Sequence, residues 1–280
     1  MKKIVFFGSG YFVIPVIEVL RNQGLELVIT NEPRGRLIDY LKKHNIPYLY
    51  SDLKNQEDIR NISKIRPDLG ILASFGVYVP DPIINMFPLG ILNVHPSLLP
   101  EFKGPSPIQF TILSGVIKTG VSIIQMDDEF DHGPIIAQKS VDLMGNETTP
   151  QLLESLFTVG SQLIKNIVQD LNNGKQIQSK PQDHKMETWS IEIEKKDGKI
   201  DIENPPLKVE LLRKIRAYHP WPGVHLTVSL GGNQKLLKLM PYDMVHVEGK
   251  NPMTYKDFIN GYGDDAKGIL EKLGLKEEDN

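Results

Sequence analysis

The chain has 280 residues, of which 40% are hydrophobic, and a formal net charge of −3. This length allows one large domain and a small one, and the apolar content excludes global disorder. The slightly acidic charge does not indicate a nucleic-acid partner, so any such contact needs basic residues gathered locally. The absence of cysteine excludes disulfides, thiol catalysis and Cys-ligated zinc.

The N-terminal sequence does not predict a secretory signal. Met1–Lys3 precede only a brief apolar run, Ile4–Phe7, which is shorter than the apolar region of a signal peptide. No stretch of the sequence approaches the ~20 apolar residues of a membrane span. We therefore expect a cytoplasmic protein.

The first elements of the chain are typical of a Rossmann-like unit. Lys3–Phe7 is predicted to be a buried strand, followed by Gly8-Ser9-Gly10 and a helix from about Val13 to Gln23. The dinucleotide fingerprint is incomplete, because Val13 stands at the place of its third glycine and no acidic residue closes the next strand, Leu25–Thr30. A plain strand-to-helix turn is therefore favoured over a dinucleotide site.

The pattern of strands and helices continues along the first 175 residues and predicts an α/β fold, with a mostly parallel sheet flanked by helices. The predicted helices cover residues 37–44, 55–65, 108–114 and 149–171, and the predicted strands cover residues 48–50, 69–73, 90–94, 121–126 and 134–141.

Two polar side chains come together at the end of the strand Gly90–Val94. Residues two apart on a strand point to the same face, so Asn93 and His95 project side by side. Pro96 cannot donate to a sheet ladder, so the strand ends there. This places both side chains at the carboxyl end of a strand, where open α/β sheets bind their ligands.

An amide beside an imidazole suits chemistry at an acyl carbon. Asn93 can donate a hydrogen bond to a developing oxyanion, and His95 can move a proton near neutral pH. Asp131 follows the next predicted strand and can hold the His95 ring in its protonated form. Each of the three has an ordinary structural explanation when taken alone: a cap, a buried histidine and a turn. Together they favour catalysis.

His132, next to Asp131, raises the question of a metal site with His95. Three such ligands without a fourth make a poor zinc site, so we predict no metal.

Two long motifs carry a family resemblance: NVHPSLLPEFKG at residues 93–104 and TGVSIIQMDDEFDHGPI at residues 119–135. They resemble the formyltransferase family that uses 10-formyltetrahydrofolate. The resemblance implies that Asn93, His95 and Asp131 are catalytic and that no metal takes part. It also implies a folate site formed by Ser97, Leu98, Leu99, Pro100, Phe75 and Gly76. Phe75 can equally be a core residue, and the residue types favour the core.

The C-terminal part of the sequence also resembles this family. Residues 176–203 are polar and lysine-rich, and they predict a connector between domains. The segment Arg216–Pro222 resembles the R-A-x-x-P-W-P signature at the start of a C-terminal β-barrel (OB-like) domain. We predict domains at 1–175 and 204–280, with Trp221 in the core of the second and a loose acidic tail after Leu273.

The order and spacing of the motifs are closest to the branch of the family whose acceptor is the amino group of methionine on initiator methionyl-tRNA. We then predict a monomer that binds tRNA phosphates through basic residues: Arg34, Arg36, Lys208, Arg213, Lys214 and Arg216.

The loop after Thr30 leaves the acceptor open, because it is shorter than the corresponding loop of the tRNA enzymes. A small amine, such as an amino-sugar nucleotide or a purine precursor, is the alternative acceptor. A formyl-folate hydrolase and a non-enzymatic folate- or RNA-binding module are further interpretations. The last gives Asn93, His95 and Asp131 no reason to coexist.

Overall fold

A computed structural model describes residues 1–275. Residues 276–280, which form most of the predicted loose tail, lie outside the described part. The chain divides into two units, the first comprising Met1–Pro107, Lys118–Asp142 and Leu153–Ser190, and the second Ile108–Ile117, Leu143–Leu152 and the residues from Ile191 onward. The division near Ser190 falls inside the predicted connector. The predicted domain limits themselves stay a prediction.

The first unit contains a seven-stranded sheet with the strand order β3-β2-β1-β4-β5-β6-β7. The strands are β1 (Ile4–Gly8), β2 (Leu25–Thr30), β3 (Tyr48–Tyr50), β4 (Leu69–Ala73), β5 (Ile91–His95), β6 (Lys118–Gln125) and β7 (Ile135–Asp142). The pairs among β1 to β5 are parallel, and β6 and β7 add antiparallel pairs at one edge. The predicted mostly parallel sheet is confirmed.

The helices follow the strands in the predicted order. They are α1 (Ile14–Leu20), α2 (Arg36–Lys43), α3 (Gln56–Ile65), α4 (Asp81–Ile84), α5 (Pro107–Ser114) and α6 (Thr149–Asn172). The sequence did not predict the short helix α4. A 3-10 turn at Tyr11–Val13 precedes α1, so the glycine turn after β1 leads into the helix less directly than predicted. None of the helices within residues 1–275 is long and apolar enough to cross a membrane.

An apolar core fixes the central strands of the first unit. Phe7 on β1 contacts Phe75 and Phe87 edge to face, with ring centroids 5.8 and 5.9 Å apart. Ile91 on β5 is fully buried in the same cluster. Because close-packed interiors resist deformation, this core holds β5 in a fixed position.

The second unit is built on an antiparallel sheet with the strand order β11-β10-β9-β8. Its elements are α7 (Lys208–Ala217), β8 (Val224–Leu230), β9 (Asn233–Met240), β10 (Met244–Val247), β11 (Met253–Thr254) and α8 (Tyr255–Lys272). Every second residue of β8 is buried, as expected for a sheet with one face covered. The predicted small C-terminal β domain is confirmed.

Trp221 is not a core residue of the second unit, and the prediction that it is was wrong. Its side chain is 58% exposed, whereas nearby Tyr218 is 6% exposed. Trp221 lies in the turn before β8, ahead of the alternation that buries the strand's apolar side chains, so no sheet face covers it.

Candidate active site

Strand β5 positions two of the predicted catalytic side chains. It lies between β4 and β6, with Asn93 opposite Leu72 of β4 and His95 opposite Ser122 of β6. Its interior position in the sheet holds the backbone on both sides. His95 is the last residue of the strand and is only 4% exposed.

The loop after β6 brings Asp131 to the end of β5. Gly133 allows the loop to fold back, because a Cβ atom at this position would lie 1.8 Å from the Gln125 carbonyl oxygen. Asp131 itself has a φ of 49°, in the left-handed region that only a few non-glycine residues adopt, aspartate among them. Such conformations persist only where surrounding contacts hold them.

The three predicted catalytic groups meet around one carboxylate oxygen. Asn93 Nδ2 donates to Asp131 Oδ1 over 3.1 Å, and His95 Nδ1 lies 3.4 Å from the same oxygen. The other oxygen, Oδ2, accepts from the backbone N–H of Gly104 over 2.9 Å. The structure therefore brings together an amide, an imidazole and a carboxylate that are up to 38 residues apart in the chain.

The environment favours a charged pair between His95 and Asp131. Burial alone would lower the pKa of His95, but the charge of Asp131, its hydrogen bond and the Phe102 carbonyl together raise it. Burial likewise tends to raise the pKa of Asp131, but His95 and the Gly104 N–H outweigh it and lower that pKa. His95 Nε2 lies 3.0 Å from the Phe102 carbonyl oxygen. With acceptors at both ring nitrogens, the doubly protonated ring satisfies both.

A segment in the predicted connector borders this site. Residues 180–190, called here the 180–190 segment, begin with Lys180 paired to Ile135 of β7 through two backbone hydrogen bonds of 2.7 and 2.8 Å. Farther along, the Thr188 hydroxyl accepts from the Phe102 N–H, and the Ser190 hydroxyl donates to the Lys103 carbonyl. The segment thus holds the loop whose Phe102 carbonyl contacts His95.

Gln182, in the same segment, holds the loop of Asp131. Its Nε2 lies 2.8–3.0 Å from three successive carbonyl oxygens, those of Asp131, His132 and Gly133, which share its two hydrogens. Gln182 is 7% exposed, and its Oε1 is buried without a hydrogen-bond partner within the described residues. Sequence reasoning missed this role, because an isolated amide in a polar stretch is its only signal.

The Lys103 side chain is fully buried, and its Nζ lies 2.8 Å from Glu187 Oε2. His184 Nδ1 lies 3.3 Å from the same nitrogen, and the Trp189 ring centroid lies 5.4 Å away. Because these partners lie in the 180–190 segment, Lys103 fastens that segment to the site.

The residues predicted to bind folate lie close behind the catalytic strand. Ser97 is fully buried, and its hydroxyl donates to the Glu101 carbonyl. Leu99 is 3% exposed, with its N–H donating to Ser122 Oγ. Leu98 and Pro100 are partly buried. Ser97 and Leu99 are thus engaged inside the protein.

Phe75 and Gly76 follow β4, the neighbour of β5. Phe75 is 1% exposed and belongs to the apolar core. Gly76 has a φ of 67°, and a Cβ atom there would meet only Asn31 Nδ2, at 3.9 Å. Its backbone is therefore open to a close approach.

The predicted tRNA-binding residues fall into both units. Arg34 and Arg36 are exposed in the first unit, where the Arg36 guanidinium lies 4.0 Å from the Tyr11 ring centroid. The other four lie on α7 of the second unit: Lys208, Arg213, Lys214 and Arg216.

His132 does not join His95 in a metal-like arrangement. Its Nδ1 lies 2.7 Å from Asp127 Oδ2, and its ring stacks on His184 at 4.1 Å. Within residues 1–275, no group of three His, Asp or Glu side chains is placed to hold a metal ion.

Known proteins of one family are similar to this chain over most of its length. The sequence model of the formyl transferase family, described as "Formyl transferase", matches residues 1–168. A methionyl-tRNA formyltransferase of Chloroflexus aurantiacus is 35% identical over 236 residues, which cover 80% of this chain and 75% of the relative. Another, from Koribacter versatilis, is 30% identical over 314 residues, covering 96% and 99%.

Solved structures show the same fold. A 4-N formyltransferase from Francisella tularensis superposes with a TM-score of 0.69 at 21% identity, covering 86% of this chain and 98% of that one. The chain belongs to the formyl transferase family, as a relative of the methionyl-tRNA formyltransferases.

Proposed function

We propose that this enzyme transfers the formyl group of 10-formyltetrahydrofolate to the amino group of methionine on initiator methionyl-tRNA, in the cytoplasm and as a monomer. The observation that carries the proposal is the meeting of Asn93, His95 and Asp131 at the carboxyl end of β5. Its curated relatives over most of the chain support the acceptor.

Asn93 has one amide hydrogen in use and one to offer. Its Nδ2 donates to Asp131, which fixes the amide so that its NH2 group faces the carboxylate. The second hydrogen has no acceptor within the described residues. This hydrogen donates to the formyl oxygen as negative charge develops there, a contribution of the oxyanion-hole type.

His95 acts in its protonated form. Its Nε2 contacts the Phe102 carbonyl, so the formyl oxygen of the substrate takes the place of that carbonyl, or shares the hydrogen with it, when the reaction begins. Asp131 keeps the ring charged, because it lies 3.4 Å from Nδ1 and is itself held ionised by Asn93 and Gly104.

The attacking amine loses a proton as it forms the new C–N bond, and the bond between the formyl carbon and N10 then breaks, with N10 taking up a proton so that tetrahydrofolate leaves. Asp131, the carboxylate that contacts His95 and Asn93, relays the amine's proton through water. Holding donor and acceptor in one cleft supplies a large part of the rate gain. The protein needs no covalent intermediate, since the formyl group is already activated on its carrier.

The folate is bound mainly by backbone groups of its predicted site, since several of the side chains there are engaged inside the protein. Gly76 leaves its peptide groups accessible, and such groups read the amide-like edge of a pterin. Ser97 to Pro100 contribute their loop shape, because the Ser97 and Leu99 contacts are internal. No metal takes part in this proposal.

The competing acceptor is a small amine, such as an amino-sugar nucleotide, and the short loop after Thr30 favours it. The discriminating experiment measures transfer of labelled formyl from 10-formyltetrahydrofolate to charged initiator tRNA, to amino-sugar nucleotides and to water. We expect transfer to the tRNA to exceed the others by orders of magnitude in kcat/KM. Comparable or greater transfer to an amino sugar would refute the tRNA assignment.

A further inference from the structure

The second unit contains a cavity of about 330 Å³ that the proposed chemistry does not use. It lies beside α7, and its polar lining consists of Thr111, Glu147, Arg213 and Arg216. All of these residues belong to the second unit. We refer to this cavity as the arginine pocket.

The arginine pocket carries more positive than negative charge. Arg213 and Arg216 are three residues apart on α7 and so share a helix face. Among the described residues, Glu147 is the only acidic one in the lining, and its carboxylate already accepts from the N–H groups of Met144 and Gly145 over 2.6 and 2.9 Å. Within residues 1–275, neither guanidinium has a hydrogen bond or a close ion pair.

Two polar atoms of the pocket are buried without a partner among the described residues. They are Thr111 Oγ1, in a side chain that is 1% exposed, and Arg216 Nε. Leaving a buried polar group unsatisfied destabilises the folded protein, so native proteins keep few such groups. Two on one cavity wall indicate that something polar completes the site.

The backbone also shapes the pocket around its arginines. At Gly115, a Cβ atom would lie 2.0 Å from Arg213 Cζ, so only glycine lets the guanidinium lie against the chain there. The pKa of Arg216 is lowered by burial, raised by Glu147 and lowered again by Arg213. Arg216 nevertheless stays charged at neutral pH, because the guanidinium pKa is so high.

We propose that the arginine pocket binds a phosphate group, through the guanidinium groups of Arg213 and Arg216 and the hydroxyl of Thr111. Paired guanidinium donors match the oxygens of a phosphate, and a hydroxyl adds a further donor. Resting on the proposed function, this phosphate belongs to the tRNA, as a backbone phosphodiester or as the 5′-terminal phosphate.

The first test uses inorganic phosphate and requires no tRNA. Phosphate, added against chloride at equal ionic strength, is expected to raise the midpoint of thermal unfolding of the wild-type protein. Arg216→Gln is expected to lose most of this shift. The matched control, Lys267→Gln, removes one positive charge from an exposed position on α8 of the same unit and should keep the shift in full.

Thr111→Val should change two measured quantities in opposite directions: the unfolding midpoint without phosphate and the shift that phosphate causes. Valine has nearly the shape of threonine and removes the unsatisfied hydroxyl, so the midpoint without phosphate should rise. The same variant should show a smaller phosphate-induced shift. Equal phosphate shifts in wild type, Arg216→Gln and Thr111→Val would overturn the site.

The second test measures formyl transfer with intact and 5′-dephosphorylated tRNA. Arg216→Gln should raise KM for the tRNA roughly tenfold at unchanged kcat and reduce the slope of log KM against log salt by about one. If dephosphorylation raises KM for wild type but not for the variant, the ligand is the terminal phosphate; if both enzymes ignore it, the ligand is a phosphodiester.

The two proposals fail in different ways. Wild-type enzyme that does not formylate the tRNA refutes the proposed function, whatever the pocket binds. Wild-type enzyme that does, together with an Arg216→Gln variant of unchanged KM and salt slope, refutes the assignment of the pocket to tRNA.

Discussion

The candidate active site and the arginine pocket differ in how their charged groups are satisfied. In the first, Asp131 accepts from Asn93 and Gly104 and faces His95, and buried Lys103 is paired with Glu187. In the second, the arginine pocket holds Arg216 Nε and Thr111 Oγ1 without partners among the described residues. The charged groups of the first site have partners within the protein, although the nearby Gln182 Oε1 has none, whereas the pocket lacks acceptors for its donors.

This difference shows what each arrangement can do. A group already held by protein partners is preorganised, so it stabilises a transition state with little rearrangement. A desolvated donor without an acceptor instead gains free energy when a ligand supplies one. Removing a group should therefore reduce turnover at the first site and should change ligand affinity at the second.

The largest expected effect comes from removing one of the predicted catalytic groups of the candidate active site. His95→Ala or Asp131→Asn should lower kcat by at least ~100-fold, the range seen when one catalytic donor or proton-transfer group is removed. Folate binding, measured by fluorescence or calorimetry, should remain nearly normal. Turnover close to wild type in either variant would remove that residue from the mechanism.

The residual activity of Asp131→Asn should have a changed pH profile. Asp131 raises the pKa of His95, so the active, protonated ring persists to higher pH in the wild type. Without the carboxylate charge this pKa falls, and the alkaline limb of kcat against pH should move to lower pH. An unmoved limb would show that His95 protonation does not set it.

A smaller effect is expected from a substitution that weakens the support of the Asp131 loop and leaves Asn93, His95 and Asp131 unchanged. Gln182→Met keeps the side-chain length and removes the donor to the Asp131, His132 and Gly133 carbonyls, so kcat should fall about tenfold. KM for folate should stay unchanged, and the alkaline limb should shift in the same direction as for Asp131→Asn. Gln178→Met, at an exposed position of the same stretch, is the matched control. A fall in thermal stability with unchanged kcat would show a merely structural role.

The smallest effects contrast the stability of the two sites. Glu187→Gln leaves buried Lys103 without its carboxylate, so the thermal midpoint should fall by a few degrees. Thr111→Val should raise it, because that hydroxyl has no partner to lose. Differential scanning calorimetry measures both midpoints. Shifts of the same sign would contradict the difference between a paired Lys103 and an unpartnered Thr111 hydroxyl.

The catalytic strand was predictable because its signal is local. The spacing of Asn93 and His95 and the stop at Pro96 define a strand end, and β5 ends at His95. The motif around Asp131 identified the third group by resemblance, and the family is confirmed. Its distance from His95 could not be predicted, since it depends on how the loop closes at Gly133.

Other features left too weak a signal in the sequence. Helix α8 contains Gly261, Gly263 and Gly268, each costing roughly 1 kcal/mol against alanine in a helix, and Gly263 departs from helical angles. Gln182 acts through backbone carbonyls, so no periodic pattern marks it. The arginine pocket depends on segments far apart in the chain, which no local pattern relates.

The 180–190 segment limits where the chain can be cut into fragments that keep the candidate active site. Sequence composition invites a cut at residue 175, but the fragment so produced would lack Gln182, Glu187, Thr188 and Ser190, which secure the loops of Asp131 and Lys103. The first unit extends to Ser190, so a junction placed before Ser190 would remove these contacts. A junction placed after Ser190 would separate Ile108–Ile117 and Leu143–Leu152 from the rest of the second unit.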